Sequence, residues 1–167
     1  MLKSNFLGDF RGDSLGDRFC DCNWSELLNL AIAIASKAHE GQFDKAGKPY
    51  IAHPLHVMSQ MTTLEEKIVA VLHDVVEDSD ITIADLVRQG FPSIITEAIA
   101  AITKLEGEPY ANYILRVKSN AIARQVKIAD VMHNMDINRI EHPTEKDFLR
   151  IEKYQKVLQE LQMPMED

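Results

Sequence analysis

Cysteine is almost missing from this 167-residue chain: only Cys20 and Cys22 occur, two apart in a polar N-terminal stretch. One Cys-x-Cys pair gives no disulfide framework and half the ligands of a four-thiolate zinc site, so both read as free thiols. Glycine and proline are scarce as well, at seven and six residues, and aromatics make up 7%. So few turn formers and rings argue against a sandwich of many short strands and lean towards helices. No apolar run approaches the ~18 residues that a membrane-spanning helix needs. Positive charge is in deficit too: 18 Lys and Arg against 26 Asp and Glu leave a formal net charge of −8. That balance disfavours gripping a nucleic-acid polymer by its phosphates. A small anionic ligand would need a metal ion or a local basic patch to offset the field.

What is present is ordinary for a globular protein: 46% hydrophobic and 26% charged residues, in a chain of 18.9 kDa. A chain of this size can bury about two-thirds of its unfolded surface in one core. Residues 1–22 read as an irregular leader, broken by Gly-Asp pairs at Gly8, Gly12 and Gly16. They mix charges of both signs and have no apolar core of a signal peptide, which points to the cytoplasm. The folded unit is expected over 23–163, with 164–167 as a tail. Asn23 and Glu26 mark a capping box, and Leu27, Leu30, Ala31, Ile34, Ala35 and Ala38 follow at helical spacing. Gly41, Gly47, Pro49 and Pro54 punctuate a long loop, the kind that carries function. Helices are then expected over about 54–61, 65–78, 82–89, 93–103, 110–117, 121–140 and 144–162. The run Ile68-Val69-Ala70-Val71-Leu72 is apolar all round and so buried on every side. The expected fold is all-α, a single bundle of seven or eight helices.

Four ionisable residues, His73, Asp74, Glu77 and Asp78, follow that buried run directly. On one continuous helix His73 would stack above Glu77 and Asp74 above Asp78. Such a cluster at the end of a buried helix is costly unless a cation compensates it. The plain alternative is a solvated helix end. His53, just before Pro54, and Asp130, between apolar neighbours with Asn134 one turn further on, supply further candidate ligands. Imidazole with carboxylate is a mixed set that suits Mn, Fe or Zn better than Ca or Mg.

The order His53…His73-Asp74…Asp130 resembles that of the HD phosphohydrolase superfamily. Phe43–Pro54, Leu72–Asp78 and Lys127–Asp130 with His133-Asn134-Met135 resemble the hydrolase domain of RelA/SpoT homologues and the small alarmone hydrolases. The resemblance runs from about Leu27 to Ile140. It implies a helical HD domain in which His53, His73, Asp74 and Asp130 hold one divalent metal, usually Mn²⁺, with Fe or Zn as alternatives. It further implies that Glu77 and Asp78 position and activate the attacking water, and that Asn134 helps hold the substrate. The implied reaction removes the 3′-pyrophosphate from guanosine tetra- or pentaphosphate. Lys45 is the candidate for phosphate contact, whereas Lys48 and Lys104 read as surface.

Asp44 and Asp136 stand where relatives commonly carry arginine. Both exchanges put a carboxylate beside the expected pocket and favour a less heavily charged phosphoester. A phosphatase for another nucleotide is therefore one alternative. A non-catalytic nucleotide-binding module is another, though such a module has no need of Glu77. No nucleic-acid polymer or membrane partner is expected, and an oligomer is left open.

Overall fold

The computed structural model describes residues 23–164; Cys20, Cys22, the expected leader and most of the expected tail lie outside the described residues. The described part is all-helical. Its elements are α1 (Trp24–Ala38), α2 (Ala52–Ser59), α3 (Leu64–Leu72), α4 (Val75–Asp78), α5 (Ile83–Arg88), α6 (Ser93–Ile102), α7 (Tyr110–Lys118), α8 (Ala121–Met135), a 3₁₀ turn (Ile137–Arg139) and α9 (Glu145–Gln162). The starts are set locally. Thr63 and Glu66, Thr82 and Asp85, and Thr144 and Asp147 each form a reciprocal capping box. Asn23 accepts from the Glu26 N–H, which is one half of the expected box.

The all-apolar run does what its pattern requires. Ile68 through Leu72 are fully buried, and α3 packs against α1, α2, α6 and α8. Helix α8 is the second hub, touching α2, α3, α6, α7 and α9. Around these two helices close Ala31, Val57, Ile95, Ile99, Ile114, Val126 and Leu161. No helix among the described residues is long and apolar enough to cross a membrane.

Two expected helices are shorter than their patterns suggest. The helix expected over 65–78 breaks after Leu72, and a single turn, α4, resumes at Val75. The His73 ring bonds through Nδ1 to the Ala70 carbonyl at 2.6 Å. That carbonyl is the acceptor an unbroken helix would give to the Asp74 N–H, so the side chain competes with the ladder. The helix expected over 121–140 stops at Met135, because Asp136 turns extended (φ −68°, ψ 95°) and accepts from the Asn138 N–H. The long loop is a compact hairpin. Phe43 bridges Pro49, and the turn passes through Gly47 at φ 74°, a conformation costly for any residue with a Cβ.

Candidate metal centre and its two cavities

Three segments meet at one buried point. His53 is the second residue of α2, His73 and Asp74 occupy the break between α3 and α4, and Asp130 lies within α8. Ligand atoms of His53, His73 and Asp130 all lie within 4.8 Å of one another, and all three residues are buried. His53 Nε2 is 3.1 Å from Asp130 Oδ1, and His73 Nε2 is 3.8 Å from the same oxygen. Asp74 sits at the edge of this triad, its Oδ2 3.1 Å from His73 Nε2 and 3.7 Å from His53 Nε2.

The hydrogen bonds decide which nitrogen of each histidine faces the site. Nδ1 of His73 meets a carbonyl, which can only accept, so Nδ1 carries the hydrogen and Nε2 points inward. Buried, that Nε2 makes no hydrogen bond. His53 is oriented through a longer relay. Arg139 Nη1, a donor only, lies 3.2 Å from His133 Nδ1, so that nitrogen accepts. His133 Nδ1 is also 2.7 Å from His53 Nδ1, and His53 Nε2 faces Asp130. The rings of His53, His133 and His56 stack in series, with centroids 5.0 and 3.9 Å apart. Two inward imidazole nitrogens and two converging carboxylates fit a divalent cation of the Mn, Fe or Zn type.

Asp130 is held on every side. Asn134 Nδ2 donates to its Oδ1 at 2.6 Å, and Lys127 Nζ to its Oδ2 at 2.8 Å. Burial would raise the Asp130 carboxyl, yet Lys127, His53 and His73 hold it well below its ordinary value. Asp74 likewise works against burial: His73, together with the Tyr50 hydroxyl that donates to Oδ2 at 2.7 Å, brings it from an ordinary 3.8 down to about 2. Burial pulls His73 the other way, but Asp74 and Asp130 raise it well above its ordinary value. His133 is pushed down to about 4 by burial, then by Arg139 and His53.

The centre stands between two cavities. One, of about 200 Å³, is lined by His73, Asp74, Glu77, Lys104, Lys127 and Tyr154. Glu77 is exposed there and accepts from the Lys104 N–H at 3.2 Å. Lys104, expected as plain surface, thus lines the cavity. Asp78 is not among the lining residues; its carboxyl is raised by burial and then by the charges of Asp74 and Glu77. The other cavity, of about 260 Å³, is lined by Phe43, Asp44, Lys45, His53, Asn134 and Arg139, with Arg150 and Tyr154 from α9. Lys48, in line with expectation, is exposed and faces a separate outer groove.

Asp44 and Asp136 differ most from what their charges suggest. Asp44 Oδ1 accepts from the N–H groups of Ala46 and Lys48, each at 2.9 Å, and Oδ2 pairs with Arg139 at 2.9 Å. Asp136 accepts from the Asn138 N–H at 3.1 Å. Asp44 is thus paired with a cation, whereas Asp136 is exposed and, among the described residues, meets only the amide groups of Asn138. Tyr50, Arg150 and Tyr154 had no assigned role in the sequence. Arg150 and Tyr154 lie four apart on α9, a spacing that says nothing about what the helix covers.

A helical bundle that gathers histidine, a His-Asp pair and a second aspartate from three separate segments defines the HD class of domains. The chain belongs to the HD domain family, whose model matches residues 31–159. It is 34% identical over 117 residues to a guanosine-3′,5′-bis(diphosphate) 3′-pyrophosphohydrolase of Haemophilus influenzae, a match covering 61% of this chain and 17% of that one. To a GTP pyrophosphokinase of Streptomyces coelicolor it is 32% identical over 146 residues, 80% of this chain and 16% of that. A bifunctional (p)ppGpp synthase/hydrolase of Escherichia coli is 31% identical over 123 residues, 65% of this chain and 17% of that. The chain thus spans 16–17% of the length of these relatives. Among solved structures, a metazoan ortholog of SpoT, described as hydrolysing ppGpp and having a role in starvation responses, shares the fold. It aligns at a TM-score of 0.66 and 22% identity, covering 81% of this chain and 85% of that one.

Proposed function

We propose that this chain is a metal-dependent phosphohydrolase acting on a small nucleotide, in its most specific form a guanosine-3′,5′-bis(diphosphate) 3′-pyrophosphohydrolase. One observation carries the reading: buried His73 Nε2 has no hydrogen-bond partner and faces Asp74 and Asp130 beside His53. A buried polar nitrogen without a partner is expensive unless a ligand takes it. His53, His73, Asp74 and Asp130 would hold the ion, with Mn²⁺ favoured by the mixed nitrogen and oxygen donors and Fe or Zn as alternatives. When bound, such an ion lowers the pKa of a coordinated water and polarises a phosphoryl oxygen. The names of the relatives support the nucleotide and the bond.

The chain's own residues do the rest. Glu77, in the cavity beside His73 and Asp74, orients the attacking water and takes its proton; the raised carboxyl of Asp78 suits it to pass that proton on. Lys45 meets phosphate from the loop, while Asn134 holds Asp130 and borders the same cavity. Water adds across the bond joining the 3′ diphosphate to the nucleoside, giving the nucleoside 5′-diphosphate and pyrophosphate. A reaction on a free nucleotide is consistent with a cytoplasmic protein.

A phosphatase for another nucleotide is the second reading, favoured by the Asp44–Arg139 pair at the cavity. The two separate in a turnover panel of guanosine bis(diphosphate) and other phosphorylated nucleotides, run with Mn²⁺ and with Glu77→Ala as the control. Release of pyrophosphate from the bis(diphosphate), abolished by Glu77→Ala, supports the specific form. Cleavage of other nucleotides alone retains only the general one.

A further inference from the structure

The Glu77 carboxylate rests on one contact. Its side chain is exposed and leaves from a single turn of helix, and among the described residues its only hydrogen-bond donor is the Lys104 N–H at 3.2 Å. A free glutamate samples many rotamers, so it is aimed only as well as that amide is held. The amide belongs to the peptide plane between Thr103, which ends α6, and Lys104. In a trans peptide the carbonyl and the N–H are rigidly linked and point opposite ways. Whatever grips the Thr103 carbonyl therefore sets the direction of the N–H that meets Glu77.

Arg116 grips it. Its Nη2 donates to the Thr103 carbonyl at 2.9 Å, and its Nη1 to the carbonyls of Ala100 and Ala101 in the last turn of α6. That turn has no cation of its own, and its carbonyl end favours one. The other edge of the guanidinium holds Glu108, with Nε and Nη2 at 3.1 and 2.6 Å from the two carboxylate oxygens. Glu108 accepts in turn from the Leu105 N–H at 3.2 Å and donates its own N–H to the Leu105 carbonyl. Lys104 is thus bracketed by groups that lead to Arg116 on both sides. A lysine, with its three donors on one nitrogen, cannot span the two edges.

We propose that Arg116 is a positioning residue for the hydrolysis: through the Thr103–Lys104 peptide it aims the Glu77 carboxylate at the attacking water. The inference rests on the phosphohydrolase reading above and names what holds its proton acceptor in place.

Turnover and amide protection are read together. On Mn²⁺-loaded protein, Arg116→Lys is expected to lower kcat for guanosine bis(diphosphate) about 10- to 100-fold, the reach of a small misplacement, with KM within about twofold of wild type. Mn²⁺ content per chain stays at the wild-type level. In a Glu77→Asp background, whose side chain is one methylene shorter and so already off the Lys104 N–H, the same substitution should cost less than about twofold further. On metal-free protein, hydrogen exchange at the Lys104 amide should be about tenfold or more faster in both Arg116→Lys and Glu77→Ala than in wild type. Glu108→Ala leaves Arg116 on the α6 carbonyls and opens only the turn, so it should move both readouts the same way, and it serves if Arg116→Lys folds poorly. A wild-type kcat in Arg116→Lys, or an equal loss in both Glu77 backgrounds, overturns the proposal, since Arg116 would then not act through Glu77. So does a higher KM at unchanged kcat. Turnover in wild type with full Lys104 protection in Arg116→Lys would also overturn it and leave the hydrolase reading intact. A wild type that hydrolyses no nucleotide, with faster Lys104 exchange in both variants, would remove the proposed activity and leave the placement of Glu77 by Arg116.

Discussion

At the scale of single residues, the centre is defined as much by what orients the ligands as by the ligands. The Tyr50 hydroxyl donates to the Asp74 oxygen that faces both imidazoles. Tyr50→Phe should therefore keep the fold and weaken Mn²⁺ binding about 10- to 100-fold, as removing the partner of a ligand does elsewhere; titration calorimetry reads this directly. An unchanged affinity would mean that Asp74 is placed by the backbone alone. The pKa shifts add a signed expectation. His73 is raised in the metal-free protein, so its stabilising contribution is full at pH below its unfolded value and is lost as pH rises through its folded one. Asp74 is depressed to about 2, so its contribution is full above 3.8 and is lost as pH falls towards 2. A metal must displace the extra His73 proton, and apparent Mn²⁺ affinity should rise with pH through neutrality, with net proton release measurable in buffers of different ionisation enthalpy. Proton uptake on binding would contradict the assignment.

Helices place these residues, and their stability is unevenly distributed along each element. In α3 the end near the site is pure core, whereas the start depends on a cap. Leu72→Ala should cost about 2–5 kcal/mol of unfolding free energy, because a fully buried leucine leaves a cavity. Thr63→Ala, which removes one arm of a capping box, should cost about 1 kcal/mol. Denaturant melts would separate the two; equal costs would mean that the α3 core can collapse around the void. At the break after Leu72, His73 faces Asp130 and Asp74, and Glu77 lines a cavity together with His73 and Asp74.

Across the whole molecule, the working surface is assembled from segments more than a hundred residues apart. Tyr154 of α9 lines both cavities, so it touches the space on each side of the metal centre. Tyr154→Ala should raise KM for the nucleotide about tenfold or more, the equivalent of ~1.4 kcal/mol, while Mn²⁺ content per chain stays at the wild-type level. Loss of the metal in that variant would instead make α9 a brace for the centre. The overall charge of −8 also takes on a different meaning in three dimensions. Asp74 and Asp130 are in the proposed ligand set, and Asp44 is matched by Arg139. Three cations, Lys45, Arg139 and Arg150, line the larger cavity against two carboxylates, Asp44 and Asp136. A chain acidic overall therefore offers an anion a locally favourable site.

Local rules were enough for a good part of this. Capping boxes at Thr82 and Thr144, the buried run from Ile68 to Leu72, and the order His53, His73-Asp74, Asp130 were all legible, since each depends on neighbours within a turn or on a fixed spacing. The helix break at His73 was not, because it comes from a side chain competing for the Ala70 carbonyl one turn back. Nor was the fate of Asp44, whose partner lies 95 residues away. By itself the sequence determined where helices start, which faces are apolar and which donors a metal would find, all of them short-range consequences of period and chemistry. Only the tertiary structure decided which charges cancel, which imidazole nitrogen points inward and what α9 covers. Those depend on which distant side chains close within hydrogen-bonding distance, and spacing along a chain carries no record of that.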